Sequence, residues 1–362
     1  MMKIAFFTDT YYPTIDGVVS TIQNYKSLLQ KKGVDIKIFA PSPSDQKDKI
    51  EGVVYAPSIN FFPYPQYKIP ISTKTIKKEC ELFEPQIIHS HAMVIMGLAA
   101  KNIAKKLKIP LIGTFHTFLP QAVHYFTKNE GLELWLKNIC WKYLNYFYND
   151  FDAVISPSEF VQRKLKENGI ESKYVIPNGV DLKFFNPQKT KKEYFLYLGR
   201  IAKEKNLDII LEIASQKEFE KLKIPIVLAG DGPYVQELKR EVEKLNLNVK
   251  FFGKVEQKQL PYIYSKAYAF ITLSEFETFG MSALEAMACK VPLVCLKNTA
   301  LEEFTKNGGG ISCYKETYQI IQALVEILEN KETFSAAAYK TAKKYSIENS
   351  TQKLLELYKK FV

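Results

Sequence analysis

No two cysteines in this sequence stand in a CxxC pair. The five that occur, Cys80, Cys140, Cys289, Cys295 and Cys313, are odd in number and scattered. That pattern argues against a disulfide framework and a structural zinc site, and it fits a reducing cytoplasm. Long apolar runs are also missing. The longest uncharged apolar stretch, residues 92–100, is too short to span a bilayer. The apolar run after Met1-Met2-Lys3 is too short for the core of a signal peptide and reads as a first strand. No zinc-finger, RNP-type or KH-type pattern occurs, so the net charge of +11 is not read as nucleic-acid binding. Nor does the positive excess sit in a tail. Residues 1–187 hold 23 Lys/Arg against 17 Asp/Glu, and residues 188–362 hold 27 against 22. Such a spread fits a solvated lysine-rich surface or attraction to an anionic membrane face.

What is present is a chain of 362 residues, 46% hydrophobic, long enough for two domains with real cores. Strand-like and helix-like stretches alternate throughout, which predicts parallel sheets covered by helices. Residues 3–8 read as a strand, 18–29 as a helix and 34–39 as a second strand. The first loop carries Asp16 and places Gly17 at a helix start, where a ligand phosphate can approach the backbone. It is not a GxGxxG, so a Rossmann dinucleotide site is not assigned.

Residues 59–71 are rich in proline and aromatics and are expected to be a loop. Lys74, Lys77 and Lys78 follow, and a second basic helix at 101–108 carries Ile103 and Leu107 among four lysines. These stretches suit a membrane interface or ordinary packing beside solvated helices. Residues 131–149 form an aromatic helix whose Leu132, Trp135, Leu136, Ile139, Tyr143, Tyr146 and Phe147 are expected to be mostly a core stripe. His89 and His91 end a strand, and their imidazoles are expected on opposite faces, so no metal site is assigned to them. His116 closes the strand at 111–117, at the end where open α/β sheets place ligands. Asp150-Phe151-Asp152 is a literal Asp-x-Asp, but it precedes the strand at 153–156 and is not read as a metal site.

A turn-rich segment follows, and the interdomain linker is expected near 184–192. The strand at 194–198 leads into Gly199-Arg200 and Lys205. A cation pair after a strand, at the start of a helix, suits a diphosphate. Strands at 226–229 and 249–252 follow, the latter ahead of Gly253-Lys254-Val255. Residues 308–310 read as a flexible glycine turn. The strand at 267–273 passes through Phe279-Gly280 into a helix whose Met281, Leu284, Met287 and Ala288 share one face. Glu277 precedes that helix and Glu285 lies within it. Two carboxylates at one strand-to-helix junction reach a polyhydroxylated ligand from two sides, beside the N-terminal dipole.

The stretch Ser274-x-x-Glu277-x-Phe279-Gly280-x-x-x-x-Glu285-Ala286-Met287-Ala288 resembles the Glu-x7-Glu motif of the retaining GT-B glycosyltransferases of family 4. Those relatives usually carry Gly-x-Pro after the helix; here Lys290 precedes Val291-Pro292. Asn178-Gly179-Val180-Asp181 and Gly230-Asp231-Gly232-Pro233 are similar to further family signatures. The segment from His116 to Tyr125 resembles bacterial glycolipid synthases that glycosylate diacylglycerol, with Leu119, Pro120 and Gln121 where many of those carry a tyrosine and a glutamate.

The resemblance implies an α/β fold of two Rossmann-like domains facing a cleft. Residues 1–187 would bind the acceptor, 188–345 the nucleotide-sugar, and a C-terminal helix in 346–362 would return to the first domain. It implies that Arg200 and Lys205 hold the diphosphate, Glu285 the ribose, and Gly253, Lys254 and Val255 the base. Glu277, with Thr278, Phe279 and Gly280, would hold the sugar. Gly17 would close on the phosphates and His116 would hydrogen-bond the sugar near its anomeric centre. Asp16, His124 and Tyr125 are assigned to the acceptor. No covalent nucleophile stands out, so retention is expected by front-face attack, the departing phosphate taking the acceptor's proton. No metal or other cofactor is expected. The donor is expected to be a UDP-sugar ahead of a GDP-sugar, with UDP-glucose favoured. The acceptor is expected to be a membrane lipid such as diacylglycerol, at the cytoplasmic face of an anionic membrane. A soluble sugar or polysaccharide precursor is the alternative acceptor. A nucleotide-sugar-binding protein without turnover is the alternative of another class, and the intact Arg200, Lys205, Glu277 and Glu285 speak against it.

Overall fold

A computed structural model of the chain describes residues 1–14, 16–45, 47, 49–61, 67–125, 127 and 129–362, and for 122, 124 and 125 the backbone alone. The chain forms two compact units. The first is Met1–Asn178 with Ile347–Val362, and the second is Gly179–Ser346.

The first unit contains strands β1 (Met2–Phe7), β2 (Val34–Pro41), β3 (Val53–Ala56), β4 (Ser58–Asn60), β5 (Lys68–Pro70), β6 (Ile87–Ser90), β7 (Leu111–Thr114), β8 (Ala153–Ser156) and β9 (Tyr174–Val175). Its helices are α1 (Gly17–Lys31), α2 (Lys74–Phe83), α3 (Ile95–Leu107), α4 (Glu130–Tyr148) and α5 (Glu159–Glu167). Seven strands form one parallel sheet in the order β3-β2-β1-β6-β7-β8-β9. β1 lies inside it, between β2 and β6, and Ile4, Ala5, Phe6 and Phe7 are fully buried, as a strand covered on both faces must be. The strand order reverses between β1 and β6, so the loops after these two strands diverge and leave a crevice at their C-terminal ends.

Helix α1 shows how the sequence sets these elements. The Asp16 carboxylate accepts the N–H groups of Val18 and Val19 and caps its start. Val19, Ile22, Tyr25 and Leu29 recur at helical spacing and are buried. Each such side chain contributes about 1.5–3 kcal/mol on leaving water. Gly33, in the left-handed region at φ +80°, ends the segment.

The second unit contains β10 (Tyr194–Leu198), β11 (Ile226–Ala229), β12 (Val249–Gly253), β13 (Ala267–Thr272), β14 (Leu293–Leu296) and β15 (Gly310–Cys313). Its helices are α6 (Leu207–Ala214), α7 (Lys217–Glu220), α8 (Val235–Lys244), α9 (Leu260–Ser265), α10 (Met281–Ala288), α11 (Glu302–Thr305), α12 (Thr317–Glu329) and α13 (Lys331–Lys344). The parallel sheet runs β12-β11-β10-β13-β14-β15, with its switch point between β10 and β13. The final helix α14 (Ile347–Tyr358) packs in the first unit, where Leu354, Leu357 and Tyr358 share a core with Val19, Ile22 and Tyr25.

Several expectations are corrected. The units divide at Asn178/Gly179 rather than at 187/188. The Val180 N–H donates to the Tyr345 carbonyl, and Val180 and Phe185 are buried in the second unit's core. Residues 59–71 are not all loop: β4 and β5 pair antiparallel, while residues 62–66 lie outside the described residues. Gly310 is not in a flexible turn. It opens β15, and a Cβ there would lie 2.1 Å from the Leu293 carbonyl oxygen. Ile103 is buried in the core, so the basic helix does not present it to a membrane. Of the expected core stripe in α4 only Phe147 is buried, Leu136 and Tyr143 are half-buried, and Leu132, Trp135, Ile139 and Tyr146 are exposed; Leu144 and Tyr148, outside that stripe, are buried beside Phe147. Period identifies one face of a helix, not what that face meets.

Candidate functional site

In the second unit the polar groups gather at the switch point. β10 ends at Leu198 and hands over to Gly199 and Arg200; its neighbour β13 ends at Thr272 and hands over to Ser274 and Glu277. Lys205 donates to Glu277 Oε1 at 2.6 Å and lies 3.4 Å from Ser274 Oγ. Arg200 Nη2 lies 2.6 Å from Glu204 Oε1. Asn206, in the left-handed region, donates to the Leu273 carbonyl and to Glu275, and Lys315 bridges to Glu275 at 2.7 Å. These bonds tie the β10 and β13 loops together, so the two cations and Glu277 have fixed places.

Burial works to raise the Glu277 carboxyl, but the Lys205 ammonium, the Lys205 and Ser274 hydrogen bonds and the Arg200 charge outweigh it. Glu277 is therefore held below its usual carboxylate range and stays ionised. Glu285 behaves in the opposite way. Burial pushes its carboxyl up to about 7, against the 2.8 Å hydrogen bond from the Tyr264 hydroxyl. Near neutrality it can donate or accept toward a hydroxyl.

Between these carboxylates, Thr278 and Phe279 lead to Gly280, which has φ +89° and starts α10. A Cβ at Gly280 would lie 2.2 Å from Leu301 Cδ2. Only glycine fits this turn, and it leaves the first N–H groups of α10 open at the helix start. Gly230 likewise allows close approach: a Cβ there would sit 1.9 Å from the Gly199 carbonyl oxygen. The Gly253 carbonyl is taken by the Gly230 N–H at 2.7 Å. Lys254 is exposed, and Val255 packs against the core.

In the first unit the switch point gathers Asp9, His91 and His116. Asp9 is buried, and its carboxylate accepts the N–H groups of Met93, Val94 and Met96 at 2.8–3.0 Å. This fixes the loop after β6 to the end of β1. Asp16 caps α1 and also accepts from Thr10 at 3.2 Å, and Gly17 is the first residue of that helix. The carboxylate assigned to the acceptor is thus already engaged by the chain itself.

His89 and His91 do not point apart, as expected, but side by side with ring centroids 4.1 Å apart. Residues i and i+2 of a strand share a face. His91 Nδ1 lies 2.9 Å from His116 Nε2. Burial lowers His116 to about 4, and burial with the neighbouring imidazoles lowers His91 well below its ordinary value, so both are neutral near pH 7. The side chains of His124 and Tyr125 lie outside the described residues. Asp150 pairs with Lys101, and Asp152 accepts the Leu111 N–H. Among the described residues no group of three His, Cys, Asp or Glu is arranged to hold a metal ion.

Tyr264, Asn206 and Asp9 were given no role from the sequence. Each acts on a residue far away in the chain, and no local period marks it. The histidine pair carried a legible signal, its spacing of two.

Two family profiles divide the chain. "Glycosyltransferase Family 4" matches residues 15–184, and "Glycosyl transferases group 1" matches residues 181–345. An alpha-monoglucosyldiacylglycerol synthase of Streptococcus pneumoniae is 30% identical over 386 residues, covering 99% of this chain and 85% of the relative. Among solved structures, sucrose-phosphate synthase from Thermosynechococcus elongatus superposes with TM-score 0.79 at 18% identity, covering 99% of both chains. Anabaena HepE in complex with UDP-glucose superposes with TM-score 0.71 at 17% identity, covering 99% of this chain and all of that one. These likenesses agree with two parallel-sheet Rossmann-like units, the GT-B architecture. The chain belongs to the GT-B glycosyltransferases of family 4.

Proposed function

We propose that the protein transfers a hexose from a nucleotide-sugar, UDP-glucose first, to a hydroxyl of a membrane lipid such as diacylglycerol, with retention at the anomeric carbon. The observation that carries the transfer is the charged group at the second unit's switch point: Arg200, Lys205 and Glu277 held at the ends of two adjacent strands. The two cations suit the donor diphosphate, and they stabilise it more as the sugar leaves and its charge grows. In the reaction the bond from C1 to the phosphate oxygen breaks, and its electron pair goes to that oxygen. The acceptor oxygen bonds C1 from the same face, and its proton passes to the departing phosphate. Glu277 orients the sugar, Glu285 the ribose and His116 a sugar hydroxyl. No metal or other cofactor is required in this reading. Arg200→Ala should abolish transfer, and unchanged turnover would refute the phosphate role.

The lipid acceptor draws on the diacylglycerol-glycosylating relative and on α4. Leu132, Trp135, Ile139 and Tyr146 stand at helical spacing and are 45, 58, 41 and 68% exposed. The Lys101 ammonium lies 4.4 Å from the Tyr146 ring. Exposed aromatics beside lysines suit an anionic bilayer surface. Among the described residues no helix is long and apolar enough to cross a membrane, so attachment in this reading is peripheral, at the cytoplasmic face. Wild-type protein should co-sediment with phosphatidylglycerol vesicles at moderate salt, and a Leu132→Ser, Trp135→Ser variant should not. If the wild type stays in the supernatant, the lipid reading loses its physical basis and a soluble sugar acceptor takes its place. Incubation of UDP-glucose, UDP-galactose and GDP-mannose with a lipid extract identifies donor and acceptor together. Binding of a donor with no transfer to any acceptor would favour a nucleotide-sugar-binding protein.

A further inference from the structure

The carboxylate of Glu285 has two oxygens, and the second unit engages one of them. Tyr264 donates its hydroxyl to Oε2 at 2.8 Å, and Oε1 has no hydrogen-bond partner among the described residues. Glu285 lies in α10 between Leu284 and Ala286, both fully buried. Tyr264 lies in α9, is itself fully buried, and is flanked by the rings of Phe185 at 6.1 Å and Phe270 at 6.0 Å. α9 is anchored in turn. Ser265 Oγ accepts the Gln188 N–H at 2.9 Å, and the Thr190 hydroxyl donates to the Ser265 carbonyl at 3.0 Å. The phenol is therefore held in place, and its hydroxyl meets the carboxylate from a fixed position.

A phenol has one proton to give. Burial and the neighbouring Glu285 charge push Tyr264 well above its ordinary value, so it keeps that proton and donates it. Such a bond favours the ionised carboxylate, against the burial that opposes it. We infer that Tyr264 is the positioning residue of Glu285: its hydroxyl occupies Oε2 and sustains the carboxylate's charge, leaving Oε1 as the oxygen that accepts a hydroxyl of the nucleotide-sugar.

The last clause rests on the glycosyl transfer proposed above, in which Glu285 meets the ribose. An ionised oxygen makes the stronger bond to a hydroxyl, so affinity should rise as Glu285 ionises. Other groups nearby do not supply that change. Cys289, one turn on in α10, has its thiol pushed up to about 12 by burial, and burial raises Cys295 of β14 well above its ordinary value, so both are neutral near pH 7. α13 brings Ala338 and Ala342 to the shared core, and β13 brings Ala267 and Phe270. Lys192, lowered by burial to about 8, acts on Cys289 and Glu332 rather than on Glu285.

The test is 13C NMR of protein labelled at the glutamate carboxyl, with Glu285 assigned by Glu285→Gln. Wild-type Glu285 should titrate at about 7. In Tyr264→Phe, which removes one oxygen and keeps the ring, it should titrate about one pH unit higher or more. An unmoved or lowered midpoint overturns the inference. Wild-type protein labelled at tyrosine Cζ gives a reading that needs no variant of Tyr264. One of the 22 tyrosine signals should follow the Glu285 midpoint and lose that step in Glu285→Gln. Absence of any such signal also overturns the inference. Calorimetric titration with UDP-glucose reads binding separately. Tyr264→Phe should bind about fivefold or more weakly near pH 7, with the gap closing as pH rises. In a Glu285→Ala background the same substitution should change affinity by less than about twofold. Equal losses in both backgrounds overturn the positioning role, since Tyr264 would then act without Glu285. A carboxyl midpoint that moves while neither protein's affinity for UDP-glucose depends on pH keeps Tyr264 as the partner of Glu285 and refutes instead the assignment of Glu285 to the ribose.

Discussion

Glutamine at position 285 should stabilise the second unit while weakening its hold on a donor. Burial pushes the Glu285 carboxyl up to about 7 from its usual 4.5, although Tyr264 donates to it. The folded protein therefore holds a proton there more tightly than the unfolded chain does. Below about pH 4.5 the carboxyl is protonated in both states and costs nothing. From there to about pH 7 stability falls as pH rises, and above about 7 the full penalty is present. The gap corresponds to roughly 3 kcal/mol. Partial exposure of the side chain to water reduces this to about 1–2 kcal/mol. Glu285→Gln keeps an oxygen to accept from Tyr264 and removes the buried charge. Its melting temperature at pH 8 should exceed that of the wild type by about 2–8 °C. The gain should vanish near pH 4.5. Calorimetric melts of both proteins between pH 4.5 and 8 measure this, and titration with UDP-glucose should show weaker binding by the variant. A melting temperature for the variant equal to or below the wild type's at pH 8 would refute the reasoning. It would mean that Glu285 is not a destabilising buried acid.

On the reading proposed above, Lys205→Met should cut transfer by at least about a hundredfold, because a cation assigned to the diphosphate is lost and Glu277 loses its partner. It should also lower stability by about 1–3 kcal/mol, the scale of a half-buried carboxylate deprived of its ammonium. Turnover within tenfold of the wild type would exclude Lys205 from the donor site. Gly280→Ala should cost about 1–3 kcal/mol, since φ is +89° and the new Cβ would meet Leu301. A thermal melt coinciding with the wild type's would show that this turn relaxes freely.

Much of the fold is legible in the sequence because buried parallel strands are short continuous apolar runs. Ala153–Ser156, Tyr194–Leu198 and Ile226–Ala229 are strands at the bounds their sequence predicts. What is not legible depends on contacts made across the chain. Helical period marks one face of α4 but cannot say that its N-terminal half meets no core. The hairpin of β4 and β5 is hidden because its pairing runs across a proline- and aromatic-rich segment that reads as loop. At the site, Arg200, Lys205 and Glu277 stand out because each follows a strand, and Glu285 because it lies in the helix that the Glu277 turn leads into. Tyr264 does not, since nothing near it in the chain signals a carboxylate 21 residues away.

Both units set their polar groups at the same point of the same topology, but with opposite electrostatics. In the second unit Lys205 and Glu277 are both charged and partly exposed, with side chains 18 and 26% accessible. Solvent and counter-charge make that tolerable, and a diphosphate displacing water there meets fixed cations. In the first unit the three imidazoles are buried, and burial keeps them neutral. On the reading proposed above this division has a chemical use. A sugar parting from its phosphate gains positive charge at the anomeric carbon. An imidazolium close to it would oppose that charge, whereas a neutral N–H can still orient a sugar hydroxyl. Cations are needed where the phosphate's negative charge grows, and they are harmful where the sugar's positive charge grows. The burial that lowers His116 to about 4 is then part of the chemistry as well as a result of packing.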